Sequence, residues 1–383
     1  MKTASAILAA ALLLSPVPAG ARLAIAANDG KQLLKGDSIP LTPDSVSVID
    51  LGRYPPRVMG SVQVPASMIG PPDAVAVSKD EKFAIVTAAQ KFNPGDPMNP
   101  AADDKISLID LTNPSHPRVL QTVQAGAGAS GVSINPAGTL VLVAAKGDGA
   151  IFVFRLDGNR LSPAGRVDLG KGAAPTDVIF APNGAKAYAV VQGVNKIMEL
   201  AVQGSTVTRT GADVLTGRSP YGAVITLDGA YLINTNVGGA LDSSDRTGTL
   251  TMVDLAGPKL ALSIPAGRVP EHVALSPDGK YILVVLANGT ATVKSDPRYD
   301  NVLGILKVYA VGPGTLTQVA QADSGHWCQG ATWSDDSRMI LQQCATERAI
   351  LVYRFDGQSL VQDKAATLVF ESRPGAIATH KSR

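Results

Sequence analysis

The stretch "VPEHVALSPDGKYILVV", Val269 to Val285, decides the fold of this chain. Apolar residues recur on both sides of the turn Pro277-Asp278-Gly279, which predicts two antiparallel strands joined by a tight turn. Similar segments recur along the chain, with their first apolar residues at Val75, Val132, Val178, Ala223, Val273, Ala331 and Ala376. Strand-rich repeats spaced 45 to 58 residues apart indicate a β-propeller rather than a helical array.

Each hairpin is followed by further strand patterns, such as "KISLIDL" and "TLTMVDL", so each repeat predicts a four-stranded blade. Near the C-terminus, "PGAIATH" predicts an inner strand without a hairpin partner. Near the N-terminus, "NDGKQLL" (28–34) predicts a returning strand, and "SVSVIDL" (45–51) predicts a third strand. We therefore expect an all-β, seven-bladed β-propeller whose ring is closed by strands from both termini, which removes exposed sheet edges.

The first residues have the layout of a secretory signal peptide, with Lys2, an apolar run over 6–14 and then small residues. The run is too short to cross a bilayer, which needs about 20 residues. We expect a signal peptide over 1–27, cleaved after residue 21, 26 or 27, and one propeller domain over 28–383. The sequence thus predicts an exported protein, periplasmic or secreted, without a membrane span.

The charge balance narrows the choice of partners. The formal net charge is +2, and loss of Lys2 and Arg22 with the longer leader leaves no net charge. Without a basic run, nothing in the sequence favours nucleic acid as a partner. We expect a monomer that binds a small molecule or a protein.

Propeller topology places the starts of the inner strands at one mouth of the central channel, together with the loops between second and third strands. Three of these loops are long, 91–104, 238–247 and 287–301, so we call this the loop-rich mouth. Long loops on a rigid scaffold commonly carry the binding site. The candidate ligand-binding residues are polar or aromatic residues at the strand starts: Asp73, Asp177, Arg218, Tyr221, Glu271, Trp327, Gln329 and Arg373.

Two histidines, His272 and His326, lie at the starts of neighbouring inner strands. Histidine titrates near neutrality and can act as an acid or a base, so both are candidate catalytic residues. A structural role, with the ring hydrogen-bonded to a neighbouring strand, remains the alternative for each. His116 and His380 lie elsewhere in the repeat and are expected to be solvated or structural.

The two cysteines, Cys328 and Cys344, are equidistant from the centre of a predicted hairpin turn and should face each other. In an exported protein this pattern predicts a structural disulfide. The acidic residues of the long loops match no calcium-binding spacing. The sequence therefore predicts no metal and no cofactor, although Ca²⁺ in an oxygen-rich loop stays an open alternative.

The repeats "VPEHVALSPDGKYILVV" and "SVSVIDL" resemble those of YVTN-type and lactonase-like seven-bladed propellers. That resemblance implies a hydrolase or cyclase acting on a small lactone or carboxylate, with His272 as acid or base. In the family an arginine precedes this histidine and an acid follows near the end of the next strand. Here Glu271 replaces the arginine and "VLAN" (285–288) lacks the acid, which favours a non-catalytic binding propeller. The sequence leaves open whether the protein is an enzyme.

Overall fold

The computed structural model describes residues 23–32, 41–68, 70–96, 99–239, 247–290 and 295–380. Seven antiparallel sheets, the blades, form a ring around a central channel, and the predicted all-β propeller is confirmed. No helix in these ranges is long and apolar enough to cross a membrane. Most of the predicted signal peptide, residues 1–22, lies outside the described residues.

Strands are numbered along the chain. The first three are β1 (Leu23–Asp29), β2 (Ser45–Asp50) and β3 (Arg57–Gln63), which belong to blade 7. In blades 1 to 3 the strands run outward from the channel in chain order. Blade 1 contains β4 (Val75–Val77), β5 (Phe83–Lys91), β6 (Ala101–Asp110) and β7 (Arg118–Gln124), and blade 2 contains β8 (Ala129–Ile134), β9 (Leu140–Ala145), β10 (Ala150–Asp157) and β11 (Arg160–Asp168). Blade 3 contains β12 (Pro175–Phe180), β13 (Lys186–Val191), β14 (Lys196–Gln203) and β15 (Thr206–Leu215).

Blade 4 contains β16 (Pro220–Ile225), β17 (Tyr231–Asn236), β18 (Thr247–Asp254) and β19 (Lys259–Arg268), and blade 5 contains β20 (Pro270–Leu275), β21 (Tyr281–Leu286), β22 (Ile305–Gly312) and β23 (Thr315–Asp323). Blade 6 contains β24 (Cys328–Trp333), β25 (Met339–Cys344), β26 (Ala349–Phe355), β27 (Leu360–Gln362) and β28 (Leu368–Val369). The last strand, β29 (Arg373–Ala378), is the inner strand of blade 7. Two short 3₁₀ turns cover Gln192–Val194 and Lys364–Ala366.

Blade 7 closes the ring as predicted, with β29 from the C-terminal end pairing β1 from the N-terminal end. The returning strand, however, is β1, which covers Leu23–Asp29, shares only Asn28 and Asp29 with the predicted segment 28–34, and is buried along its whole length. Its small apolar residues look like the end of a leader in the sequence. Pairing with a segment about 350 residues away makes them a strand, and local sequence patterns do not encode that pairing.

The core lies between neighbouring blades. Strand β9 is buried at every residue, whereas every residue of the outermost strand β19 except Ala266 is exposed or half-buried. Burial decreases from the inner to the outer strands because each blade packs both faces of its inner strands against the neighbouring blades. Between blades 5 and 6, for example, the rings of Tyr281 and Phe355 meet edge to face at 5.0 Å. Burying one large apolar side chain contributes about 1.5–3 kcal/mol.

The recurring turn motif has a specific hydrogen-bonding role. In the quoted stretch the Ser276 hydroxyl donates to the Asp278 carboxylate at 2.6 Å, and the Tyr281 N–H donates to the same hydroxyl at 2.9 Å. Gly279 has φ +72°, a conformation that favours glycine. The turns of three other blades repeat the hydroxyl–carboxylate contact: Ser78–Asp80, Thr226–Asp228 and Ser334–Asp336. The motif therefore fixes the hairpin turns at the mouth opposite the loop-rich mouth, here called the turn mouth.

Candidate functional site

The chain segment between blades 7 and 1 lies across the loop-rich end of the channel. In this segment, residues 70–73, Gly70 lies against the Gln329 amide of blade 6, and a Cβ at Gly70 would be 3.0 Å from Nε2. The Asp73 carboxylate reaches blades 4 and 5, where Oδ1 is 3.4 Å from His272 Nε2 and Oδ2 lies over Gly222. Because blade 1 lies opposite blades 4 and 5 in the ring, this contact crosses the channel. We call residues 70–73 the cap segment.

His272 is held by protein groups at both ring nitrogens. Nδ1 accepts a hydrogen bond from the Ala331 N–H of blade 6 at 3.2 Å, so the ring proton is on Nε2, facing Asp73. The residue is only 3% exposed. In this arrangement the imidazole connects blades 1, 5 and 6, and neither nitrogen is available to a substrate without breaking a contact.

His326, the other candidate acid or base, is also engaged at both nitrogens. Nδ1 is 2.5 Å from the Glu347 carboxylate, and Nε2 is 2.7 Å from the Tyr299 carbonyl oxygen. A carboxylate and a carbonyl oxygen thus face the two ring nitrogens. The ring also stacks on Tyr299 at 3.7 Å, and burial together with the Glu347 charge raises the pKa of Tyr299 to about 12. His326 thereby fastens part of the long loop 287–301 to blade 6.

Hydroxyl-to-carbonyl hydrogen bonds link the inner strands of successive blades at this level. Ser130 donates to the Thr176 carbonyl at 2.8 Å, and Thr176 donates to the Tyr221 carbonyl at 2.8 Å. Thr87 donates to the Ser130 carbonyl, and Thr235 donates to the Glu271 carbonyl. These bonds fix the backbone at the strand starts, so the candidate side chains there project from a rigid ring.

The predicted residues Asp73, Tyr221 and Glu271 come together at the cap segment. Burial raises the pKa of Tyr221 well above its usual range, and the charges of Glu271 and Asp73 add to the effect. Tyr221 therefore remains a neutral O–H donor beside two carboxylates. Asp177 is nearby in blade 3 but is fully buried, and its carboxylate accepts from the backbone N–H groups of Val178 and Ala223.

Three glutamines of blade 6 carry buried carboxamide atoms without a hydrogen-bond partner in the described part of the chain. They are Gln329, through Oε1, and Gln342 and Gln343, through both amide atoms. The Gln343 amide lies beside Gly330, which also contacts Pro72 of the cap segment. An unsatisfied buried amide costs about 1–3 kcal/mol, so these groups suit a polar ligand or water.

The sequence interpretation found Gln329 but missed Gln342 and Gln343. A signal was present in the sequence: "LQQC" puts two amides where the equivalent strand of the quoted repeat has only apolar residues, "LVVL". In a strand buried on both faces, two adjacent polar residues place one amide on each face.

The remaining predicted residues lie around the rim or within the wall. Arg218 is exposed and Trp327 is partly exposed at the loop-rich mouth. Arg373 is buried, and its guanidinium donates to the carbonyl oxygens of Ala345 and Gln32, as expected of a structural residue. Cys328 and Cys344 pair directly across the hairpin and form the predicted disulfide.

The acidic residues considered for Ca²⁺ are divided between described and undescribed segments. Asp103 forms an ion pair with Lys105, and Asp296 forms one with Arg298. The hydrogen bonds from Arg298 lower the pKa of Asp296 to about 2. Asp242 and Asp245 lie outside the described residues. In the parts that are described, these loop carboxylates have cationic side chains rather than one another as neighbours.

The ring of seven blades and the buried polar groups at one mouth define a seven-bladed propeller with a polar channel end. The chain belongs to the lactonase family of seven-bladed β-propellers, whose family model matches residues 103–295. Among curated proteins, Antigen Lp49 of Leptospira interrogans serogroup Icterohaemorrhagiae serovar copenhageni (strain Fiocruz L1-130) is 32% identical over 108 residues. That match covers 28% of this chain and 23% of the antigen.

Solved structures share the fold at low sequence identity. A candidate 6-phosphogluconolactonase from Bacteroides fragilis NCTC 9343 is similar with a TM-score of 0.70 and 15% identity, covering 95% of this chain and 99% of that chain. A periplasmic gluconolactonase from Pseudomonas aeruginosa gives a TM-score of 0.58 and 18% identity, covering 79% and 83%. At these identities the similarity shows the fold and does not transfer the activity.

Proposed function

We propose that this protein binds a neutral, polyhydroxylated small molecule, such as a sugar lactone, at the loop-rich mouth, without turning it over. The observation that carries the proposal is the contrast between two sets of side chains there. Both candidate histidines have their ring nitrogens engaged by the protein. The amides of Gln329 and Gln343 are buried beside the cap segment with hydrogen-bonding capacity unused in the described part of the chain.

The ligand class follows from these groups. Carboxamides both donate and accept hydrogen bonds, and a carboxylate such as Glu271 accepts them, so the site complements hydroxyl and carbonyl groups. The relatives' names point to sugar lactones as the first compounds to test. The partly exposed Trp327 offers an apolar face for a sugar ring at the rim.

The test is calorimetric titration of the purified protein with glucono-δ-lactone, in parent and variant forms. Gln343→Leu should weaken binding about tenfold, because a bidentate amide contact to a ligand is lost. The same variant should be as stable as the parent or more stable, because the amide has no protein partner to lose. Unchanged affinity in Gln343→Leu, or no binding by the parent, would defeat the proposal.

Gln121→Leu is the matched control. The Gln121 amide exchanges two hydrogen bonds with the backbone of Leu161 at 3.1 and 2.8 Å, far out in blades 1 and 2. Its loss should reduce the free energy of unfolding by about 1–2 kcal/mol and leave lactone binding unchanged.

Lactone hydrolysis is the alternative, favoured by the family membership and by the Asp73 carboxylate that His272 orients. In that case Asp73 serves as the base that activates water. Ring opening faster than the spontaneous rate, and lost in Asp73→Asn, would establish catalysis in place of simple binding.

A further inference from the structure

A second concave site lies at the turn mouth, on the opposite side of the ring from the cap segment. It is a cavity of about 420 Å³ formed by the ends of inner strands and the following turns of blades 1 to 5, and by His380 of blade 7. Its volume falls within the range of about 300–1,000 Å³ typical of small-molecule pockets. A smaller cavity of about 50 Å³, lined in part by Thr379, continues from it into the channel.

The cavity wall is mainly apolar. The side chains of Val77, Ile134, Phe180, Ile225 and Leu275 line it, and Leu227 stands at its rim. Leu227 is 58% exposed, although it occupies the turn position where three other repeats have proline. Because Leu227 adjoins the cavity, it extends the contiguous apolar surface that a ligand could cover.

The charged part of the wall is cationic. Lys79 and His380 line the cavity, and none of the other described residues that line it is an aspartate or a glutamate. Within the described residues no ion pair of Lys79 is found, whereas Lys82, in the same turn, pairs with Asp80, and Lys280, in the equivalent turn of blade 5, pairs with Asp278. His380 lies 3.3 Å from the Glu81 carboxylate, which reduces its own availability to a ligand. The ammonium of Lys79 is thus the group that an anion would meet.

The turn-mouth cavity is separate from the site at the loop-rich mouth. The contact of Asp73 with His272 crosses the channel between them, and both side chains are at most 4% exposed. A ligand therefore reaches this cavity from the turn mouth, and changes to the loop-rich mouth should not alter its binding.

From the apolar wall and the Lys79 ammonium beside it, we propose that the turn-mouth cavity binds an amphipathic carboxylate. Its aliphatic chain or aromatic ring packs against Phe180, Ile225 and Leu275, and its carboxylate faces the Lys79 ammonium. The rim leucine, Leu227, covers the part of the chain nearest to solvent. This site is independent of the proposed function at the loop-rich mouth.

The test compares decanoate with decyltrimethylammonium, which has the same chain and the opposite charge, in calorimetric titrations of the full protein below micelle-forming concentrations. Decanoate should bind with a Kd below about 1 mM and at least about tenfold more tightly than the cation. Equal binding of the two probes, or no binding of decanoate at about 1 mM, overturns the proposal.

Variants locate the site. Leu227→Glu places a like charge at the rim and should weaken decanoate binding about tenfold or more, while Lys79→Gln should weaken it roughly three- to tenfold. Leu215→Glu is the control for the first, because Leu215 is 66% exposed on β15, away from the cavity. Lys280→Gln is the control for the second. Affinity that changes equally in variants and controls, or in neither, rejects this cavity as the site.

The loop-rich mouth provides an additional control. Gln343→Leu should leave decanoate binding unchanged, whatever it does to lactone binding. Loss of decanoate binding in Gln343→Leu would show that both probes use one site and would overturn the second-site proposal while leaving the first one standing.

Discussion

Replacing His272 by alanine separates the structural interpretation of this residue from the catalytic one. The side chain is 3% exposed and connects Asp73 of blade 1 to the Ala331 N–H of blade 6. His272→Ala leaves that N–H without its acceptor, which costs about 1–3 kcal/mol, and removes the imidazole that lies 3.4 Å from the buried Asp73 carboxylate. Partial relaxation and water entry recover some of this, so we expect a loss of about 2–4 kcal/mol in the free energy of unfolding.

The assay is equilibrium unfolding in urea, followed by tryptophan fluorescence, with a thermal melt alongside. An unfolding entropy of about 2.1 cal/mol/K per residue converts this loss into a melting temperature lower by roughly 3–5 °C for a domain of this size. His116→Ala is the control, because His116 is exposed in a turn of blade 1 and its replacement should change the free energy by less than about 0.5 kcal/mol.

A double-mutant cycle with Asp73→Ala isolates the cross-channel contact, and we expect a coupling free energy of about 0.5–3 kcal/mol. The reasoning is refuted if His272→Ala keeps the parent's stability while lactone binding or turnover disappears. That result would mean that the ring nitrogens exchange their protein partners for a substrate at little cost, as a catalytic histidine requires.

Three further predictions concern the ends of the chain and the disulfide. Deleting residues from Arg373 onward removes β29 and exposes the β1 edge, so the truncated protein should aggregate or melt far lower; melting within a few degrees of the parent would contradict the closure. We propose that the protein is exported and cleaved after residue 21, so mass spectrometry should place the mature N-terminus at Arg22. A chain that starts at Asn28 should be much less stable than one that starts at Arg22, because it lacks most of β1. Cys328→Ser with Cys344→Ser should lower stability by up to about 3 kcal/mol, measured by urea unfolding, whereas two thiols alkylated without reductant in the parent would exclude the disulfide.

The sequence predicts the blades well because each one is encoded locally. The turn from Ser276 to Tyr281 contains all the hydrogen-bonding groups it needs, and the cysteine pair is symmetric about its own hairpin. What the sequence does not reveal is assembled across the ring. Neither the identity of β1 as a strand nor the contact of Asp73 with His272 follows from neighbouring residues, since their partners are hundreds of residues away.

The candidate site likewise has one part that the sequence predicts and one part that it does not. Topology predicts that Asp73, Tyr221 and Glu271 meet at one mouth, and the structure brings them together at the cap segment. The cap segment itself was not predicted, because nothing in "IGPPDA" indicates that it crosses the channel. Since Asp73 of this segment faces Nε2 of His272, and the Ala331 N–H of blade 6 occupies Nδ1, the chemistry available at the mouth depends on these long-range contacts rather than on the histidine alone.

The charge of the two mouths gives a final prediction about selectivity. In the family pattern an arginine precedes the histidine, and here Glu271 takes its place beside Asp73 and the neutral hydroxyl of Tyr221. The end of the channel at the cap segment is therefore acidic, and an anionic ligand would be repelled there. We expect glucono-δ-lactone to bind at least about tenfold more tightly than gluconate, its anionic ring-opened form, in calorimetric titrations. Glu271→Gln should narrow that difference by weakening the repulsion of gluconate. If gluconate binds the parent as tightly as the lactone does, the exposed Arg218 at the rim, and not the carboxylates of Asp73 and Glu271, determines which ligands the mouth accepts.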